Sequence, residues 1–124
     1  MDKFSREDLE EALPVIASMI SRSEAVKYKF KEGTPQASLT RNRLKALNIS
    51  SALITKELNS DFLINDFSED DLEKALLPIT STIRKCEKAL KKLKEGTPQA
   101  SLTRNMLLAL NLSLALITKE LNEG

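Results

Sequence analysis

The sequence predicts an all-α protein: a four-helix, up-down-up-down bundle made of two repeated antiparallel helical hairpins. Three observations support this prediction. Residues 4–59 match residues 67–122 at 37 of 56 positions when the chain is laid over itself without a gap. Each copy contains a Gly-Thr-Pro turn between two long segments. The apolar residues of those segments recur every three or four positions, as they do in packed helices.

A single hairpin would leave one apolar face exposed, and stacking two hairpins buries both faces. We therefore expect one domain over residues 1–124, with internal repeats 4–59 and 67–122 joined by a linker at 60–66. In this arrangement both turns lie at the same end of the bundle and are related by a pseudo-two-fold axis. The apolar linker segment Phe62-Leu63-Ile64 is expected to fold under the end of the bundle.

The turn is predicted from the block KEGTPQASLTRN, which occurs twice, beginning at Lys31 and at Lys94. Gly33 tolerates the left-handed conformation that commonly closes a helix. Thr34 can cap the next helix, and Pro35 suits its first position, where no amide hydrogen is needed. The second block repeats each of these residues. A turn this short sends the second helix back along the first.

The first and third helices are predicted from seams in which steps of four and three alternate. The seam of the third helix consists of Leu72, Leu76, Ile79, Ile83, Cys86, Leu90 and Leu93. The seam of the first consists of Leu9, Leu13, Ile16, Ile20, Ser23, Lys27 and Phe30. Ser5 and Ser68 are expected to cap the two helices. Pro14 and Pro78 fall inside them, and we expect the helices to bend there but to continue.

The returning helices are predicted to run from about Pro35 to Leu58 and from about Pro98 to Leu121. In an alternative placement each of them begins three residues later, at the serine of the repeated block, after a longer loop. Both helices carry leucine, isoleucine and alanine along one face, so the predicted core is aliphatic. The scarcity of aromatic residues, four Phe and one Tyr with no Trp, agrees with this expectation.

The fourth helix is more apolar than the second, because Arg43 and Lys45 are replaced by Met106 and Leu108 at the matching positions. A helix that is apolar nearly all round belongs in an interior or against a partner. We therefore predict an interface on this helix, for another protein or for a second copy of the chain. The candidate interface residues are Met106, Leu108, Leu112 and Leu116.

Composition favours a globular, cytoplasmic protein. Apolar residues make up 41% and charged residues 30% of the 124 residues, a balance that is not typical of disordered chains. No apolar run approaches the roughly 20 residues that span a bilayer, so we predict no membrane partner. The N-terminal residues MDKFSRED lack the apolar core of a secretion signal. The single cysteine, Cys86, cannot form an internal disulfide, which fits a reducing compartment.

The net charge of +1 conceals a predicted separation of charge. The half of the bundle that contains the turns holds 14 basic and 4 acidic residues, which gives a formal charge of +10. The other half holds the remaining 5 basic and 14 acidic residues, which gives −9. One interpretation is compensation of the helix dipoles, since acidic residues cluster at helix starts and basic residues near helix ends.

A second interpretation of the basic end is an anion-binding site, in which helix N-termini, hydroxyl groups and arginines accept phosphate. The candidate anion-binding residues are Thr34, Ser38, Arg41, Thr97, Ser101 and Arg104. Head-to-tail self-association through the oppositely charged ends is a further alternative. We do not expect nucleic-acid binding, because a nearly neutral chain exerts little long-range attraction and this end has few aromatic side chains for stacking.

The residues that usually perform catalysis are scarce. There is no histidine, so acid–base chemistry near neutral pH and most transition-metal sites lack their usual group. Cys86 falls on an apolar seam, where we expect a buried and inert thiol. The acidic run Glu69-Asp70-Asp71 stands in the first turn of a helix, where capping and dipole effects explain it. We therefore predict that the protein is not an enzyme and holds no cofactor or metal.

Each half follows the pattern FS-x-x-[DE]-LE-x-AL, then EGT, then a second helix with KALN or LALN. This pattern resembles short uncharacterised bacterial helical-hairpin proteins. The likeness covers each half and includes no site motif, so it implies a soluble cytoplasmic protein and no particular activity. Three hypotheses for function remain: a protein-interaction or self-associating module, a duplicated or engineered single-chain scaffold derived from a homodimeric hairpin, and an anion or nucleic-acid binder.

Overall fold

The computed structural model describes residues 4–59 and 67–123, and within these residues the chain forms four helices. They are α1 (Arg6–Lys27), α2 (Pro35–Leu58), α3 (Glu69–Lys92) and α4 (Pro98–Glu123). Helices α1 and α3 each pack against both α2 and α4, and α2 contacts α4 between them. The predicted all-α four-helix bundle is therefore confirmed. The predicted linker at 60–66, with Phe62, Leu63 and Ile64, lies outside the described residues.

Helices α1 and α3 begin at the predicted serine caps. The Ser5 hydroxyl accepts a hydrogen bond from the Asp8 N–H at 3.0 Å, and the Asp8 carboxylate accepts one from the Ser5 N–H at 3.1 Å. This reciprocal pair is a capping box with aspartate in place of the usual glutamate. In α3 the Ser68 hydroxyl accepts from the Asp71 N–H at 3.0 Å. The caps satisfy backbone donors that a helix N-terminus leaves without an intrahelical partner.

Helices α2 and α4 begin at Pro35 and Pro98, as predicted, so the alternative start at Ser38 and Ser101 is wrong. Thr34 caps α2, because its hydroxyl oxygen accepts from the Ala37 N–H at 3.2 Å. The corresponding bond from the Ala100 N–H to the Thr97 hydroxyl has the same length. Proline at the first helical position costs no hydrogen bond, which explains why these starts are well defined.

The two glycines have φ of +84° but do not close the preceding helices, contrary to the expectation. Helix α1 ends at Lys27 and α3 at Lys92, so the seam residues Phe30 and Leu93 lie beyond the helices. Gly33 instead belongs to a turn in which the Thr34 N–H donates to the Lys31 carbonyl at 3.2 Å. The third position of such a turn requires a positive φ, which glycine adopts without steric cost.

The two internal prolines interrupt neither helix. Pro14 lies on the exposed side of α1, and Pro78 is partly buried in α3. Both helices continue through these positions, as the sequence predicts. The carbonyl of Pro78 accepts a hydrogen bond from the Thr82 hydroxyl at 2.8 Å, one turn later. Proline on the outer side of a helix is tolerated because water can satisfy the carbonyl that loses its amide partner.

The core is aliphatic and is shared by all four helices. Its largest fully buried residues are Ile16, Leu47, Ile54, Ile79, Leu110 and Ile117. Ser50 and Ser113 are completely buried at matching positions of the repeat. Their hydroxyls donate to the carbonyls of Ala46 and Ala109 at 2.9 and 2.8 Å, so neither serine leaves a polar group without a partner.

Replacing Gly33 or Gly96 with alanine is expected to lower the free energy of unfolding by about 1–2 kcal/mol each, the usual cost of a left-handed L-residue. No atom lies within 4 Å of the added Cβ, so the cost comes from the backbone alone. Urea denaturation followed by circular dichroism measures it. Gly33→Asn is the control, with a smaller expected loss, because asparagine tolerates this conformation better. An alanine variant as stable as the parent would contradict the prediction.

Candidate functional site

The four residues predicted for an interface on α4 occupy different environments. Leu108 is 70% exposed and Met106 is partly buried. Leu112 and Leu116 are 2% and 6% exposed and belong to the core. The two buried leucines are therefore unavailable to a partner of the folded bundle. Of the predicted interface only Leu108 is largely exposed, because the partly buried Met106 packs against the core.

The threonines of the predicted anion site are engaged in capping. The Thr34 hydroxyl donates its proton to the Lys31 carbonyl at 2.7 Å while it accepts from the Ala37 N–H. The Thr97 hydroxyl donates to the Lys94 carbonyl at 2.8 Å and accepts from the Ala100 N–H. A hydroxyl has one proton to donate. Neither threonine can therefore donate to a phosphate without breaking a bond of its own turn.

The arginines of the same set lie near carboxylates of their own turns. Arg41 is 3.8 Å from Glu32, and Arg104 is 3.6 Å from Glu95. Arg41 also lies 3.5 Å from the Ser38 hydroxyl. Both Ser38 and Ser101 are exposed. Both glutamate side chains are more than nine-tenths exposed, so these ion pairs are weak and screened by solvent. The structure thus brings each arginine to its own turn and provides no buried anion pocket among the described residues.

A groove of about 1170 Å³ lies between α2 and α3. Its wall on α2 includes Leu39 and Ile49, and its wall on α3 includes Leu77 and Pro78. Leu39 is 59% exposed and Leu77 is 71% exposed. Two leucines that line one groove and remain largely in contact with water are an unfavourable arrangement for an isolated chain. We call this feature the α2–α3 groove.

Charged side chains surround the apolar walls of the α2–α3 groove. The charged residues among those that line it are Arg43, Lys45, Lys74 and Lys85, with Asp71 and Glu73. They sum to a formal charge of +2. Lys74 also pairs with Asp70 at 3.0 Å, and this contact raises the pKa of the Lys74 ammonium. The Nε of Arg43 is buried and has no hydrogen-bond partner in the described part of the chain.

Sequence reasoning missed this groove. Leu77 carried the signal, since it stands next to the seam residue Leu76 and cannot share the buried face of the same helix. The apolar spacing of α2 does not indicate that Leu39 is exposed. The reciprocal ion pairs between α2 and α4 were also not predicted: Lys56 lies 3.2 Å from Glu120, and Lys119 lies 3.2 Å from Glu57. These contacts depend on how the helices pack.

Helix α4 is the helix in the described residues that is long and apolar enough to cross a membrane by length and composition. Within its most apolar window, 39% of the residues are buried inside the bundle. The buried residues include Leu110, Leu112, Leu116 and Ile117, which belong to the common core. Packing against the other helices therefore accounts for much of the apolar character of α4.

Cys86 lies in the core at 6% exposure. Burial raises the pKa of its thiol, and the nearby charges of Arg22 and Arg43 oppose this rise. A thiol whose pKa is raised is less often in the nucleophilic thiolate form. In the described residues no group of three or more His, Cys, Asp or Glu side chains is placed to hold a metal ion.

We expect Cys86 to react with a disulfide reagent more slowly in the folded protein than in the unfolded chain, because burial restricts access to the sulfur and raises the pKa of the thiol, which lowers the fraction present as thiolate. Absorbance at neutral pH, with and without urea, measures the two rates. The folded rate should increase as the pH rises toward the raised pKa. Equal rates in both states would contradict the burial of this thiol.

Comparisons with protein-family models, with curated proteins and with solved structures find no match to this chain.

Proposed function

We propose that the protein is a non-catalytic protein-interaction module that binds its partner through the α2–α3 groove. The observation that carries the proposal is the exposure of Leu39 and Leu77 on opposite walls of this one groove. Covering exposed apolar side chains is the main favourable term in most protein association. Association with a partner that covers both leucines is therefore favourable.

The surroundings of the leucines favour a protein partner over a small molecule. Interfaces between proteins combine an apolar centre with a polar rim, and the α2–α3 groove has leucine walls surrounded by six charged side chains. A small-molecule site usually encloses most of the ligand surface. Leucines that are themselves 59% and 71% exposed enclose little. The groove is better suited to receive a convex surface of another folded chain.

Photo-crosslinking tests this proposal. Benzoylphenylalanine in place of Leu77 is expected to form a covalent adduct with a protein when cells containing the full chain are irradiated, because the probe then lies at the interface. The same probe in place of Ala89, which is exposed on α3 and does not line the groove, is the control. Mass spectrometry of the adducts identifies the partner.

The outcome that contradicts the proposal is a yield from position 77 no greater than that from position 89. An adduct with twice the mass of the chain indicates self-association, and any other mass indicates a different protein. A probe in place of Leu39 provides a second test from the opposite wall of the groove.

We also infer that the bundle is a single-chain scaffold derived from a homodimeric hairpin, with its helices running up, down, up and down. The Arg6 guanidinium donates to the Leu58 carbonyl at 3.1 Å, which supports opposite directions for α1 and α2. The repeated block supports the same arrangement for α3 and α4. The engineered or natural origin of the duplication does not affect this inference.

The reciprocal ion pairs provide the most specific support for a dimeric ancestor. Lys56 pairs with Glu120, and Lys119 pairs with Glu57. The two lysines occupy matching positions of the repeat, and so do the two glutamates. In a homodimer with two-fold symmetry, residue i of one copy contacts residue j of the other and the reverse contact also forms. Two copies of the first hairpin could therefore form both ion pairs with Lys56 and Glu57 alone.

A chain of residues 1–62 is expected to form a homodimer, because its apolar face needs a partner and its Lys56 and Glu57 can pair reciprocally. Light scattering measures the mass, and circular dichroism measures helix content. Lys56→Glu is the matched control. It places like charges opposite each other at both pairs, so it should weaken the dimer by about 0.2–1 kcal/mol per pair. A helical monomer, or a chain that pairs neither with itself nor with residues 63–124, would argue against a dimeric ancestor.

A further inference from the structure

We propose that the partner of the α2–α3 groove is a second copy of this chain, which covers the groove with the surface formed by its helices α1 and α4. This inference rests on the proposed function and names the partner of the same site. The surface is defined by the residues that stand 63 positions away from those of the groove, and we call it the α1–α4 face. Helices α1 and α4 pack against each other, as α2 and α3 do.

The α1–α4 face carries exposed leucine where the groove carries lysine. Lys45 in the groove corresponds to Leu108, which is 70% exposed. Leu39 corresponds to Leu102, which is 48% exposed. Arg43 corresponds to the partly buried Met106. The face therefore presents apolar side chains on α4 that could cover the leucines of the groove.

The two surfaces carry opposite charges. The groove has a formal charge of +2, from four basic and two acidic lining residues. At the matching positions the α1–α4 face has a formal charge of −2, from Asp8, Glu10 and Glu11 against Arg22. The charge differs most at the position that holds Lys74 in the groove and Glu11 on the α1–α4 face. Charge complementarity of this kind favours contact between unlike surfaces and opposes contact between like ones.

One ion pair beside each surface reduces the formal charge of that surface by one. Asp70 pairs with Lys74 at 3.0 Å beside the groove, and Arg6 pairs with Glu10 at 3.3 Å beside the α1–α4 face. With these neighbours counted, the surfaces carry +1 and −1. The sign of each surface is unchanged, so the complementarity persists.

An interface between two different surfaces has a structural consequence. Each copy that fills a groove still has an empty groove of its own, so association continues from copy to copy until a ring closes or a filament forms. A symmetric dimer, in which the same surface meets itself, would stop at two copies. The groove-to-face arrangement therefore predicts association beyond the dimer.

Two variants separate the halves of this interface. Leu77→Glu adds a negative charge to the groove and repels the acidic face. Leu108→Lys adds a positive charge to the α1–α4 face and restores the residue that the other half of the repeat has at this position. Ala89→Glu and Ala115→Lys add the same charges to exposed positions of α3 and α4 that belong to neither surface, and they are the matched controls.

Sedimentation velocity of the full chain at concentrations up to about 1 mM, where an interface with a Kd of 1 mM is about 40% occupied, provides the measurement. The parent chain and both controls are expected to associate beyond a dimer. Each variant alone should have a Kd at least about tenfold higher. An equimolar mixture of the two variants should recover association, because it contains one intact groove and one intact face.

A parent chain that stays monomeric throughout the range would overturn the inference, as would a mixture in which both variants remain monomeric. A variant that dimerises alone as tightly as the parent chain would show a symmetric interface and would also overturn it. Circular dichroism verifies that each variant is folded, and Lys74→Glu replaces Leu77→Glu if the latter unfolds. A monomeric chain whose position-77 probe captures a different protein would reject this inference and leave the interaction module standing.

Discussion

Helices α2 and α4 contact each other between α1 and α3, and both carry small buried side chains at matching positions of the repeat. Ala46 and Ser50 lie one turn apart on α2, and Ala109 and Ser113 occupy the same positions on α4. All four are at most 2% exposed. Side chains this small allow two helix backbones to approach closely, and a larger residue would force them apart in an interior packed at crystal density. Helices α1 and α3 each pack against both α2 and α4.

The two halves share most of their core residues and differ at several charged surface positions. The central alanines and serines are identical in both copies, whereas Lys45 becomes Leu108 and Lys74 corresponds to Glu11. Core positions tolerate few changes because each affects packing against several neighbours, and surface positions tolerate many. At matching positions the two sides carry opposite charges: the α2–α3 groove is net positive and the α1–α4 face is net negative. The proposed interaction depends on this difference.

Sequence reasoning succeeded where the controlling interactions are local. The serine and threonine caps and the proline at the start of α2 act within four residues, so their effect can be read directly. It failed at the end of α1. A glycine with positive φ can close a helix or serve a turn, and only the hydrogen bond from Thr34 to Lys31 shows which of these applies. For the same reason Phe30, which continues the apolar spacing, was wrongly included in the helix.

The candidate site was less accessible from the sequence. The composition of α4 indicated a surface for an interior or a partner, and Leu108 is exposed on this helix. The composition could not show that Leu108 is exposed and Leu112 is buried, because a helix that is apolar all round gives little indication of which side its neighbours cover. The predicted anion site depended on hydroxyl groups whose protons are used within the turn, as the bond from Thr34 to Lys31 shows.

By itself the sequence determined the four helices, their caps, the conformation demanded of Gly33 and Gly96, and the equivalence of the two halves. These properties follow from interactions within a few residues or from the letters themselves. The tertiary structure alone decided that Leu39 and Leu77 share one exposed groove and that Lys56 meets Glu120. Each of these contacts joins different helices that are far apart along the chain. Their meeting depends on how the helices pack, which no local pattern specifies.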